Sequence, residues 1–251
     1  MLVKIAASRV ASAAIRRASA KAVGMELSSR SLAAAAKSNT TKSVSPLSVR
    51  FQSTAAAAQE ESVSDISSPA AASKFVSTPE RKYEHFTNVE LTPDGVAIVR
   101  FDCPKKVNSI SFALAEEAEK LWADEIENNA DVKAVVFSSA KPNMFIAGAD
   151  IFDIKKIEDK QELVGLIENG LHFFQNMRKK GVPLVCAIDG PCLGGGLEWT
   201  MWCDYRVASD SPKTKLGLPE VKLGLLPGFG GTQNLHELVG LQNAMDMMLT
   251  H

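Results

Sequence analysis

The sequence predicts an α/β domain with a largely parallel sheet. Two observations carry this. From residue 83 onward, short apolar runs alternate with longer segments of helical period, the pattern of strand–helix–strand units. Turn and cap signals fall at the seams, at Pro93–Gly95, Ser111 and Asp189–Gly190. Taken in order, folded structure begins near Tyr83. Val96–Phe101 (VAIVRF) reads as a strand after the Pro93–Gly95 turn. Ser111 caps a helix over about 112–128, with Leu114, Ala118, Leu121, Trp122 and Ile126 on one face. Val132–Ser138 (VKAVVFS) reads as a buried strand. Lys160–Lys179 is helical, with Leu163, Ile167, Leu171, Phe174 and Met177 inward and basic residues in its last turn. Val182–Ile188 is a third strand, Leu197–Cys203 a short helix and Tyr205–Ala208 a fourth strand. No internal repeat is visible.

The chain has 251 residues, 45% hydrophobic and 23% charged, the balance of a globular protein. No apolar run reaches the roughly 18 residues that a transmembrane helix needs. A net charge of −1 argues against nucleic-acid binding as the main task. That average hides an asymmetry. Residues 1–50 hold nine Lys/Arg and one acid, Glu26, so the remaining residues carry 19 basic and 28 acidic groups. The Ala-, Ser- and Arg-rich segment 1–51 has the composition of a mitochondrial transit peptide, with Arg50 just before a matrix-protease-like site. A plastid address overlaps it in composition. Residues 52–82 lack periodicity and read as a flexible lead-in to a domain over 83–251. Cys103, Cys186, Cys192 and Cys203 form no C-x-x-C pair and have no His cluster nearby. They read as reduced core thiols, neither a zinc site nor a disulfide framework.

Three segments could carry chemistry. Phe145–Asp150 (FIAGAD) follows a strand and a Lys141–Asn143 turn, and its small residues let a ligand approach backbone N–H groups. Gly190–Glu198 (GPCLGGGLE) places three glycines where a strand ends and a helix begins. Unpaired N–H groups at a helix start favour negative charge, so a developing oxyanion suits this end. Phosphate is the rival ligand, but no Lys-Ser/Thr follows the glycines and no G-x-G-x-x-G occurs in the chain. The third segment is Leu216–Glu220 followed by Leu223–Gln233 (LGLLPGFGGTQ). Glu198 and Glu220 are the two carboxylates set in unusually apolar, Gly-rich sequence. Two carboxyl groups in a dry cleft can divide acid and base roles. His85, His172 and His236 lie outside these segments and His251 is the last residue, so no nucleophile–His pattern has support.

Together these segments resemble the crotonase (enoyl-CoA hydratase/isomerase) superfamily in kind, order and spacing. The residues that carry the resemblance are Lys106–Asn108, Phe145–Ile151, Cys192–Glu198, Tyr205–Ala208, Lys213–Thr214, Pro219–Val221, Pro227–Gln233 and Met247–Thr250. Within the superfamily it is nearest to the multifunctional α-subunit branch, where a hydratase region precedes 3-hydroxyacyl-CoA dehydrogenase domains. The resemblance implies a spiral of ββα units, with further helices beyond His251, so that the region is incomplete at its C-terminus. It implies a trans-2-enoyl-CoA substrate whose carbonyl accepts hydrogen bonds from Ala149 and Gly195 N–H. Glu198 would deprotonate water for attack at C3, and Glu220 would deliver a proton to C2. Isomerases of the superfamily work with the carboxylate matching Glu220 alone, so having both favours hydration. Lys106, Ala147, Asp150, Ile151, Gly194 and Pro219 would line the substrate and coenzyme A site, with Lys105, Lys155 and Lys156 nearby.

No metal and no resident cofactor is implied; a dehydrogenase region past residue 251 would use NAD. Trp199 and Trp202 depart from the small or aliphatic residues expected after Glu198; they either narrow the acyl pocket or pack the core, and core packing is the favoured reading. Asn234 stands where the superfamily commonly has Arg. The implied setting is the mitochondrial matrix and fatty-acid β-oxidation. The implied partners are further copies of the chain or a thiolase subunit, with peripheral inner-membrane association open. The competing expectation is a non-catalytic fragment that binds acyl-CoA or assembles with partners.

Overall fold

A computed structural model describes residues 80–250; the expectations for 1–51, and for 52–82 up to residue 79, lie outside the described residues. Glu90–Leu91 (β1), Val96–Phe101 (β2), Ala134–Ser139 (β3), Leu184–Ile188 (β4) and Tyr205–Ala208 (β6) form one sheet in the order β1-β2-β3-β4-β6. β1 is antiparallel to β2, and the other pairings are parallel. The register sets Phe101 opposite Ser139 and Ile188 opposite Ala208, so the strands end along one edge. Alternation divides their apolar side chains between two faces. Ala97, Val99, Phe101, Val135, Phe137, Leu184, Cys186 and Ile188 join the main core. Val96, Ile98, Ala134, Val136, Val185 and Ala187 form a second cluster. Burial on both faces explains why these strands read as continuous apolar runs.

Helix α1 (Phe112–Leu121) starts where predicted, with Ser111 Oγ accepting from Leu114 N at 3.1 Å. It runs on into a π-helical turn, Trp122–Glu127. A single α-helix to residue 128 is therefore not what forms. The wider turn lets the adjacent bulky residues Leu121 and Trp122 both face inward, and both are buried. A short α2 (Ile151–Ile154) precedes α3 (Lys160–Lys179), whose limits match the sequence reading. Phe173, Phe174 and Met177 are buried in α3, whereas Leu163, Ile167 and Leu171 are half-buried. β5 (Cys192–Leu193) and β7 (Leu216–Gly217) form a second, two-stranded parallel sheet, and Ile146 bridges to Cys192 beside it.

Helix α4 (Gly195–Met201) is buried along its whole length. It begins two residues before the predicted start because Gly195 and Gly196 are helical. Trp199 anchors it at the centre of an aromatic cluster, 5.1 Å from Phe101, 5.6 Å from Phe137, 5.5 Å from Phe173 and 5.2 Å from Phe174, centroid to centroid. Each such pair adds about 1 kcal/mol beyond its buried area. A 3₁₀ turn (Pro219–Leu223) leads to α5 (Gly231–Val239) and α6 (Leu241–Leu249), which meet at Gly240. All four cysteines are buried and free. Among the described residues no helix is long and apolar enough to cross a membrane.

Candidate active site

The loops leaving the carboxyl ends of β2, β3 and β4 converge, the usual place for a ligand on an open parallel sheet. One buried amide joins the first two. Asn108, 0% exposed, accepts from Cys103 N through Oδ1 at 3.0 Å. Its Nδ2 donates to Ser139 Oγ and to Phe145 O, both at 2.9 Å. Its carbonyl accepts from Ala147 N at 2.8 Å. Ile110 then pairs with Ala149 as a parallel bridge, donating to Gly148 O at 2.9 Å and accepting from Asp150 N at 2.8 Å. Strand geometry turns the Ala149 N–H away from that bridge, and it donates no hydrogen bond among the described residues. Gly195 N–H, the first of α4, likewise has no acceptor among the described residues.

Two glycines bring these free donors together. Gly148 has φ 116° and Gly194 has φ 50°, conformations that side chains resist. A Cβ on Gly194 would stand 3.8 Å from Gly148 Cα, so the segments before the two N–H groups touch.

Glu198 sits one turn into α4 and is 2% exposed. Its Oε1 accepts from Phe229 N at 2.8 Å and Gly231 N at 2.7 Å, at the start of α5. Burial pushes its carboxyl up to about 7; the Gly231 N–H opposes the rise and the charge of Glu220 adds to it. Glu220 lies in the 3₁₀ turn after β7. A Cβ on Gly194 would lie 2.9 Å from its Oε1, which places Glu220 against the start of the helix that carries Glu198. Its buried Oε2 has no hydrogen-bond partner among the described residues, and burial raises its pKa. Two carboxyl groups, both biased toward holding a proton, thus flank a helix start with free N–H donors. Such a pair can move protons on either side of a polarised carbonyl compound.

The other candidate residues divide. Gly194 is buried, Ala147 and Pro219 are half-buried beside these groups, Ile151 is exposed on α2, and Lys106 is exposed. Asp150 is engaged within the protein. Its Oδ1 caps α2 through Phe152 N at 3.1 Å, and its Oδ2 meets Lys105 Nζ at 2.5 Å and Ser109 Oγ at 3.2 Å. The Lys105 ammonium holds the Asp150 carboxyl below its usual range. Lys156 pairs with Asp153 at 2.8 Å. Trp199 packs the core as predicted. Trp202, half-buried, also donates from Nε1 to Phe229 O at 2.7 Å. Residue-by-residue reading missed Asn108, Trp202 and the Phe229 and Gly231 amides as organisers of the site. The signal for the two amides is the Gly-rich run Pro227–Gln233, and Asn108 stands in the Lys106–Asn108 stretch that carries the family resemblance.

Residues 92–251 match the enoyl-CoA hydratase/isomerase family. The chain is 48% identical over 163 residues to the fatty acid oxidation complex subunit alpha of Idiomarina loihiensis, covering 64% of this chain and 23% of that relative. It is also 48% identical over 156 residues to the same subunit of Aliivibrio fischeri, with 62% and 23% covered. The chain therefore spans under a quarter of the length of these relatives. A solved enoyl-CoA hydratase from Geobacillus kaustophilus HTA426 superposes with a TM-score of 0.62 at 32% identity, covering 67% of this chain and 62% of the other. One from Bacillus anthracis gives 0.60 at 29% identity, covering 66% and 62%.

Proposed function

The chain belongs to the enoyl-CoA hydratase/isomerase family, and from that premise we propose that it hydrates trans-2-enoyl-CoA thioesters to 3-hydroxyacyl-CoA in fatty-acid β-oxidation. The observation that carries this reading is the placement of Glu198 and Glu220 beside a helix start whose Gly195 N–H, with Ala149 N–H, is free to bind an oxyanion. The thioester carbonyl accepts from both N–H groups, which stabilises the enolate-like charge; one such donor is worth about 3–4 kcal/mol. Glu198, whose Oε1 is held by two amides that favour the ionised form, takes a proton from water as oxygen bonds to C3. Glu220, whose unpartnered Oε2 suits a carboxylic acid, gives its proton to C2. The proton given and the proton taken balance, and the addition is redox-neutral, so it draws on no redox cofactor. Ala147, Ile151, Gly194 and Pro219 border the bound thioester, and Lys106 offers the coenzyme A phosphates an exposed cation. Asp150 contributes by fixing the loop that presents Ala149.

The branch we favour is the hydratase region of a mitochondrial trifunctional-type α subunit, acting in the matrix with a thiolase subunit. The acid-poor, Arg-rich segment 1–51 supports the address, and the relatives' designation as a complex subunit supports the partner. The test is to supply the purified chain separately with trans-2- and trans-3-enoyl-CoA. Hydration of the first is expected. Positional isomerisation of the second without hydration would make the protein an isomerase. Binding without turnover of either would leave a non-catalytic acyl-CoA-binding module.

A further inference from the structure

We propose that Gly170, on α3, is a positioning residue for Glu198, because it provides the seat on which Phe229 holds the carboxylate-binding amides in place. The hydrogen bonds of Phe229 bind its backbone to α4 at two points. Its N–H donates to Glu198 Oε1 at 2.8 Å, and its carbonyl accepts from Trp202 Nε1 at 2.7 Å. Its ring is wedged edge-on between two glycines. A Cβ on Gly170 would fall 2.5 Å from Phe229 Cε1 and 2.9 Å from Cδ1. A Cβ on Gly195 would fall 3.5 Å from Cδ2 and 3.7 Å from Cε2, on the opposite ring edge. Phe174 closes a third side in an edge contact at 6.0 Å. One turn earlier on α3, Ile167 lies 3.6 Å from where a Gly228 Cβ would be. Helix α3 therefore supports the Gly228–Gly231 loop from outside, although it contributes no group to the chemistry proposed above.

A mid-helix glycine normally costs helix stability relative to alanine. At Gly165, on the same helix, a Cβ would meet nothing within 4 Å, so that glycine serves no packing need. At Gly170 the missing Cβ is the room that the ring occupies. A methyl there must drive the ring toward Gly195 or move the loop and weaken the amide bonds to Glu198.

The test rests on the hydratase reading only in part, because one arm needs no substrate. In Gly170→Ala, kcat for hydration is expected to fall about 10²-fold with KM little changed, the cost of a misplaced general base. The Glu198 carboxyl, followed by carbon-13 NMR and assigned with Glu198→Gln, is expected to titrate at higher pH as its amide donors are lost. The acid limb of kcat/KM should move the same way. Gly165→Ala is the control and should change neither. In a Phe229→Ala background the Gly170→Ala change should become nearly silent, since the clash is gone. If Gly170→Ala alone does not fold, recovery of a folded protein in the double variant supports the inference equally. An unchanged Glu198 titration in Gly170→Ala, or an equal effect with and without the Phe229 ring, overturns the inference. So does failure of the double variant to fold while Gly165→Ala and Phe229→Ala fold. A parent that titrates as expected but turns over no enoyl-CoA would instead overturn the hydratase reading and leave the positioning role standing.

Discussion

Glu198 illustrates a conflict between stability and chemistry at a single residue. Its carboxyl is raised from 4.5 to about 7 by burial, so the folded state favours the protonated form. That stabilising preference is complete below the unfolded pKa and is lost as pH rises through about 7. Glu198→Gln keeps a carbonyl oxygen for the Phe229 and Gly231 amides but cannot ionise. It should therefore raise the melting temperature at pH 8 more than at pH 5; an equal change at both pH values would contradict the burial argument. Asn108 shows the opposite case, a polar group present for architecture. Replacing it with Ala strands Cys103 N and Phe145 O, and it should cost about 2–4 kcal/mol in urea unfolding. The two glutamates were legible from sequence because ionisable groups are rare in apolar, Gly-rich runs. Asn108 was not, because a loop Asn looks the same whether it turns toward water or ties two loops together. Asp150 shared that ambiguity: a short acid before a helix can cap it or contact a ligand, and here its oxygens are already engaged with Phe152, Lys105 and Ser109.

At the scale of elements, period and caps located the long segments well. Val96–Phe101, Lys160–Lys179 and Tyr205–Ala208 form with the limits read from sequence. The two-residue strands β5 and β7 were invisible, since no pattern exists over so short a span and their pairing is decided by the chain around them. The π-helical turn after α1 was invisible too, because a helical period does not record a locally wider turn. The three glycines opening α4 drew attention as an open anion site, yet each has a different task. Gly194 takes the φ 50° turn and Gly195 presents its N–H. Gly196 lets α4 lie on Ile146, since a Cβ there would come within 2.7 Å of both Ile146 Cβ and Ile146 O. Gly196→Ala should therefore destabilise the fold by about 1–3 kcal/mol through overpacking, measured by thermal or urea unfolding. A neutral effect would mean that α4 can move off Ile146 freely.

At the scale of the whole molecule, the parallel sheet sets its strand ends along one edge, and the loops from that edge deliver the free N–H groups and Glu198 to one place. The α/β class follows from alternation of elements. The crotonase-like arrangement, with a small second sheet beside the first, was accessible only through resemblance, because the contacts that define it are non-local. The segment from the 3₁₀ turn through α6 leaves large apolar side chains uncovered, including Leu226 at 80% and Leu241 at 67% exposure. Surfaces of this kind associate. Leu226→Gln with Leu241→Gln should reduce apolar-dye binding and light scattering of the purified chain while leaving its circular dichroism unchanged; undiminished scattering would place the association elsewhere. All of these scales meet in the claim that Glu198 and Glu220 jointly hydrate an enoyl thioester bound at the start of α4. The most direct measurement is the loss of absorbance of the conjugated thioester of a trans-2-enoyl-CoA, compared among the parent chain, Glu198→Gln and Glu220→Gln, with acyl-CoA affinity measured alongside. Turnover is expected in the parent, with a fall of at least about 10²-fold in each variant and affinity retained. Turnover that survives either substitution would contradict that joint role.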